Sequence, residues 1–140
     1  MTPFHGELDV RYVDGRRWLL TAPFTYHLVA KHGPEFVRVD VGTLTDFASI
    51  PRPLKLLWPS PGGRWDRPAV IHDELYVLPF IQHIDGSARR IERAEADAIF
   101  HEANGAAGVR WVVRQLLYRG VRLGGGVAWG RYRRREAVPA

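Results

Sequence analysis

The sequence contains no cysteine, which excludes disulfides, thiolate zinc sites, iron–sulfur clusters and a thiol nucleophile together. Any metal must therefore be held by oxygen and imidazole. No apolar run approaches the ~18 residues that a membrane helix needs, so no transmembrane segment is expected. The opening residues, MTPFHGELDV, have neither a basic lead nor a long apolar stretch, and no signal peptide is expected. Also missing are a G-x-S-x-G elbow around Ser49, a Walker loop, a dinucleotide fingerprint and a His-Glu-x-x-His pair. What is present, 140 residues of which 46% are hydrophobic and 25% charged, suits one soluble domain with one packed core.

Charge is unevenly divided. Residues 1–104 hold 12 Lys and Arg against 14 Asp and Glu, a net −2, whereas residues 105–140 hold 8 Arg against Glu136 alone, a net +7. A basic end favours an acidic partner, but the body of the domain carries no such signal, and no specific nucleic-acid partner is expected.

Alternation of aromatic or β-branched residues with polar ones predicts strands over 8–13, 18–29 and 36–41, with Asp14-Gly15 as a hairpin turn. Val37, Val39 and Val41 share one face. From Thr43 to Arg64 the alternation stops, and prolines at 51, 53, 59 and 61 define a shaped loop. Asp66 is placed to cap a helix that tolerates Pro68 in its first turn and ends before Pro79. A second helix is expected after Ser87 as far as Asn104-Gly105, and a third over Val109 to about Leu123. The expected fold is α+β: a small N-terminal antiparallel sheet, a proline-rich loop and three helices. It forms a single globular domain over 1–126, and residues 127–140 are left as a basic tail with no order required of it.

The helix around His72 is apolar over most of its circumference and must be largely buried. Ala69, His72 and Tyr76 form one stripe, with Asp73 at its edge. Buried polar groups need partners, and either the backbone of the proline-rich loop or another helix can supply them. The next helix offers Asp97, set among alanines that allow close approach. If Asp97 accepts a hydrogen bond from His72, the tautomer is fixed and the other ring nitrogen can serve as a general base. Alternatively Arg93 and Asp97, four residues apart, pair on the surface. Asp46 and Ser49 follow the last strand, where site residues are often mounted, or where they simply form a turn before Pro51.

Thr45-Asp46-Phe47-Ala48-Ser49-Ile50-Pro51, Pro61-Gly62-Gly63, His72-Asp73-Glu74-Leu75-Tyr76 and Arg93-x-x-Ala96-Asp97-x-x-Phe100 occur in that order. Together they resemble a family of bacteriophage and prophage proteins known as domain of unknown function 1353, over roughly residues 18 to 120. The resemblance implies a phage or prophage origin, in the virion or the host cytoplasm. His-Asp-x-x-Tyr followed by Ala-Asp-x-x-Phe also resembles the catalytic helices of short phospholipase A2 domains. That resemblance implies His72 as the base activating water, Asp97 as its orienting partner, and Asp73 as a calcium ligand aided by carbonyls near Gly62 and Gly63. The disulfides of the secreted forms are absent, and the run from Thr45 to Pro51 has no counterpart there.

A second metal reading groups Asp46, His72, Asp73 and Asp97 around zinc, manganese or magnesium. Both metal readings make the chain a metal-assisted hydrolase of an ester or amide, acting on phospholipid or cell wall as a phage enters or lyses its host. The opposed reading is a non-enzymatic virion component that contacts other virion subunits. Its surface is the third helix, where Arg110, Arg114, Arg119 and Arg122 interrupt Trp111, Val112, Leu116 and Val121, giving an amphipathic helix with a basic side.

Overall fold

Alternate residues of Phe24–His27 and Glu35–Val39 turn one face inward, and these two strands form the centre of the framework. The computed structural model describes residues 3–14, 17–28, 34–45 and 64–137. Within them the chain runs through β1 (Phe4–His5), β2 (Val10–Asp14), β3 (Arg17–Leu20), β4 (Phe24–His27), β5 (Glu35–Val39), β6 (Leu44–Thr45) and α1 (Asp66–Val77). It continues through β7 (Phe80–His83), β8 (Ala88–Arg90), α2 (Arg93–Ala106), α3 (Trp111–Gly124) and α4 (Gly126–Ala137). No helix among the described residues is long and apolar enough to cross a membrane.

The α+β class is as expected, but the strands form two antiparallel sheets rather than one. Five strands are ordered β1-β4-β5-β7-β8 and three are ordered β2-β3-β6. The expected long strand from Trp18 is split at Thr21-Ala22-Pro23, where proline has no N–H to continue a ladder. β3 therefore joins one sheet and β4 the other. Across β4 and β5, Phe24 faces Val39 and Tyr26 faces Val37, and all four are buried. Val41, expected on that same face, is 59% exposed. Strand β5 ends at Val39, and the turn through Gly42, at φ +91°, reverses the chain and breaks the alternation.

The segment between Pro79 and Ser87, left unassigned between two expected helices, is most of a hairpin. Asp85 accepts from the Ser87 amide at 2.8 Å and Gly86 adopts φ +92°, which turns β7 into β8 and buries Ile81 and, just beyond, Ile91. Consequently α2 starts at Arg93, later than expected. It ends at Ala106 with Gly108, at φ +84°, as the left-handed residue. Arg89 on β8 ties the sheet to this helix: it donates to the buried Glu35 at 2.5 Å and to both oxygens of Glu95.

Helix α1 packs on β5, α2 and α4, while α2 packs on α3 and α3 on α4. The chain does not fray after Gly126 but forms α4. Gly125 keeps right-handed helical angles, and the loss of helix propensity across three glycines, ~1 kcal/mol each, is offset by tertiary contacts. Trp129 meets Tyr76 edge to face at 5.2 Å. Arg133 stacks on Trp129 and donates to the carbonyls of Tyr76 and Val77 at 2.5 and 3.1 Å, which caps the C-terminus of α1.

Candidate functional site

Helix α1 begins where Pro68 can be accommodated, because a first-turn nitrogen has no intrahelical partner to lose. Its cap residue is Trp65, and Asp66 is the first helical residue rather than the cap; a carboxylate there still complements the helix dipole. From that start the helix buries Ala69, Val70, Ile71, His72, Leu75 and Tyr76. The expected polar stripe is therefore inside the protein: His72 is 2% exposed and Tyr76 is completely buried.

Asp97, on α2, is also completely buried and stands at the centre of the cluster. Its Oδ1 lies 2.8 Å from Nε2 of His72 and accepts the Tyr76 hydroxyl at 2.7 Å. Its Oδ2 accepts Nη1 of Arg122, from α3, at 2.8 Å, and Nη1 of Arg93 stands 3.5 Å away. Burial alone would push this carboxyl up, but hydrogen bonds from His72, Tyr76 and Arg122 outweigh it and hold Asp97 below its ordinary value. The group is thus an anion, and an anion only accepts. Nε2 of His72 must then carry the proton and donate it. Nδ1 has no hydrogen-bond partner among the described residues. The rings of Tyr76 and Phe100, at 4.3 and 4.7 Å, hold the imidazole in place. Burial and the Asp97 carboxylate push the Tyr76 phenol up, so it stays a donor.

The His72–Asp97 pair is the one read from the sequence, but Arg93 and Asp97 are not the surface pair of the alternative reading. Arg93 reaches past Asp97 to the carbonyls of Val121 and Arg122, at 3.2 Å each, and caps α3. Arg122 was assigned by the sequence pattern to a solvated basic face. It is the closest cation to Asp97, and nothing in its local sequence marks it as different from Arg119.

Asp73 points away from this cluster's acceptor. It is half-buried and accepts the Thr45 hydroxyl at 2.8 Å. With Asp40 and Glu74 it lines a cleft of about 550 Å³ bordered by Val41, Leu44, Val77 and Leu78. Burial, with Asp40 and Asp73 close by, pushes Glu74 up to about 7. Asp46, Ser49, Gly62 and Gly63 lie outside the described residues. Among the described residues no three His, Cys, Asp or Glu side chains are grouped to hold a metal ion. Asp73 does not complete a calcium or zinc site with its described neighbours.

What the arrangement offers chemically is an imidazole held in one orientation by its Nε2–H, backed by a carboxylate that His72, Tyr76 and Arg122 together keep ionised. No curated protein and no solved structure matches the chain. Residues 18–121, which include the whole of α1 and α2 and most of α3, match the family described as Protein of unknown function (DUF1353), and the chain belongs to that family.

Proposed function

We propose that the protein is a hydrolase of an ester or amide in which Nδ1 of His72 takes a proton from the attacking water and Asp97 orients the ring. The supporting observation is the 2.8 Å contact of Nε2 with an Asp97 anchored by Tyr76 and Arg122. It presents one ring nitrogen as a base without permitting the ring to turn. Calcium or zinc, if used, would sit at Asp73 and polarise the carbonyl; because the described neighbours do not complete such a site, no step is assigned to it. We take the substrate to be phospholipid or cell wall, met as a phage particle enters or lyses its host, a reading that draws on the phage or prophage kinship the sequence motifs imply. The test is hydrolysis of phospholipid and peptidoglycan by the purified chain, with calcium, with zinc and with chelator. His72→Ala is expected to lower the rate by about 10²- to 10⁴-fold while circular dichroism stays unchanged.

A second reading is favoured by one observation, the near-complete burial of His72 and Asp97. In this reading the cluster is a polar lock joining α1, α2 and α3 in a non-enzymatic virion component, consistent with buried polar networks that specify one packing. Absence of any His72-dependent hydrolysis on those substrates would leave this reading standing and remove the first.

A further inference from the structure

Helices α3 and α4 bury one side, through Leu117, Gly120, Val121 and Gly125, and leave the opposite side open. That open side is not the charged, solvated face that such a helix normally shows. Val112, Leu116, Leu123 and Val127 are 61%, 41%, 89% and 70% exposed, and Trp111 beside them is 63% exposed. Helical angles persist through Gly125, with Gly125 N bonded to Val121 O at 2.8 Å and Trp129 N to Gly125 O at 3.0 Å. Residues spaced three or four apart therefore stay on one side across the junction. Arg119 occupies the same stripe between Leu116 and Leu123, and Arg131 and Arg134 continue it past Val127, all three exposed. Glu136, the one acidic residue after position 104 that could neutralise them, is engaged with Arg90 at 3.0 Å and Arg133 at 3.4 Å.

We infer that this stripe is a docking surface for an anionic lipid bilayer. Apolar side chains on one line with an indole beside them, interleaved with guanidinium groups and free of acids, form the surface that settles at the level of lipid headgroups. Each arginine brought to such a surface raises partitioning by about fivefold. A nucleic-acid backbone would use the arginines but would leave Leu123 and Val127 in water. A second copy packed isologously would set Arg119, Arg131 and Arg134 against like charges.

The test is flotation of the full chain with vesicles of ether-linked phosphatidylglycerol, which cannot be cleaved as esters, against vesicles of ether-linked phosphatidylcholine. Binding is expected to the anionic vesicles only and to weaken with salt. Leu123→Glu/Val127→Glu, at positions too exposed to affect folding, is expected to reduce it by about tenfold or more. Arg131→Glu/Arg134→Glu is expected to reduce it further in low salt than in high salt. The proposal is overturned by equal binding to both vesicle types, by no binding to either, or by a Leu123→Glu/Val127→Glu protein that floats as the wild type does. Salt-sensitive binding to duplex DNA that survives this double substitution, with no flotation, would assign the surface to nucleic acid instead. An oligomer that the same substitution dissolves, again with no flotation, would assign it to self-association.

Discussion

Replacing Asp97 with asparagine keeps the size of the side chain and removes its charge. Three donors and one further cation surround it. His72 and Tyr76 donate to one oxygen and Arg122 to the other, with Arg93 3.5 Å from it, so the amide –NH2 meets donors whichever way it is turned. Removing one partner from a buried ionic cluster destabilises by ~3–5 kcal/mol. Arg122 and Arg93 retain 34% and 24% side-chain exposure and can be partly rehydrated, which favours the lower end, about 3 kcal/mol. Against a total stability of ~5–15 kcal/mol that is a large fraction, and for a chain of this size it lowers Tm by about 10 °C. Urea denaturation of the two proteins between pH 3 and 8 is the assay. Asp97 titrates below its ordinary 3.8 when folded, so its stabilisation is fully present above that value and is lost as pH falls through the folded value. The difference between wild type and Asp97→Asn should therefore be flat from neutrality to about pH 4.5 and shrink below it. A difference under about 0.5 kcal/mol at pH 7, the size expected of an ordinary surface change, or one that widens in acid, would refute the cluster's described geometry.

Two further outcomes follow from the neighbours of that cluster. Glu74 has its folded value raised to about 7 from an ordinary 4.5, so ionising it destabilises the fold progressively between those values and fully above the higher one. Glu74→Gln is expected to stabilise by about 1–3 kcal/mol at pH 8 and by nothing at pH 4, read from denaturation midpoints at the two pH values. At Gly125 an added Cβ would stand 2.6 Å from the Val121 carbonyl and closer still to the Tyr76 hydroxyl. Helix propensity favours alanine over glycine by ~1 kcal/mol, whereas the anchored Tyr76 ring cannot yield, so Gly125→Ala is expected to destabilise by about 1–3 kcal/mol. A higher Tm for Gly125→Ala would mean that α4 does not approach α1 so closely.

The two long helical patterns and the central strands were legible because each carries a period that only one element satisfies. The boundaries that failed did so for identifiable reasons. Pro23 divides one apparent strand into members of two sheets, a distinction of partner that alternation cannot register. Between Pro79 and Ile91 the strands are short, and only Ile81 and Ile91 reach the core, so the hairpin has almost no hydrophobic period. Its one local signal was the turn pair Asp85-Gly86, between Ile84 and Ser87. Helix α4 has a polar, glycine-interrupted sequence that sets only Ala128, Trp129 and Tyr132 against the core. It is held by Arg133 on the end of α1 and by Trp129 against Tyr76, contacts that depend on where α1 ends in space.

The same contrast explains which half of the candidate site could be read. His72 lies on a helix apolar over most of its circumference and Asp97 is set among alanines, so their pairing was one reading the sequence offered, beside a backbone partner for His72 and a surface pair of Asp97 with Arg93. That inference needs no knowledge of tertiary structure. Arg122 offers no such restriction, because an arginine on an amphipathic helix is fully satisfied by water and solvent is its default partner. It becomes part of the cluster only because the end of α3 lies over α2, where Arg93 caps the last turn and Arg122 turns inward to a carboxylate already committed to His72 and Tyr76. A polar group on a buried helix thus reports its own need for a partner, whereas the exposed end of the ion pair that meets that need leaves no trace in the sequence around it.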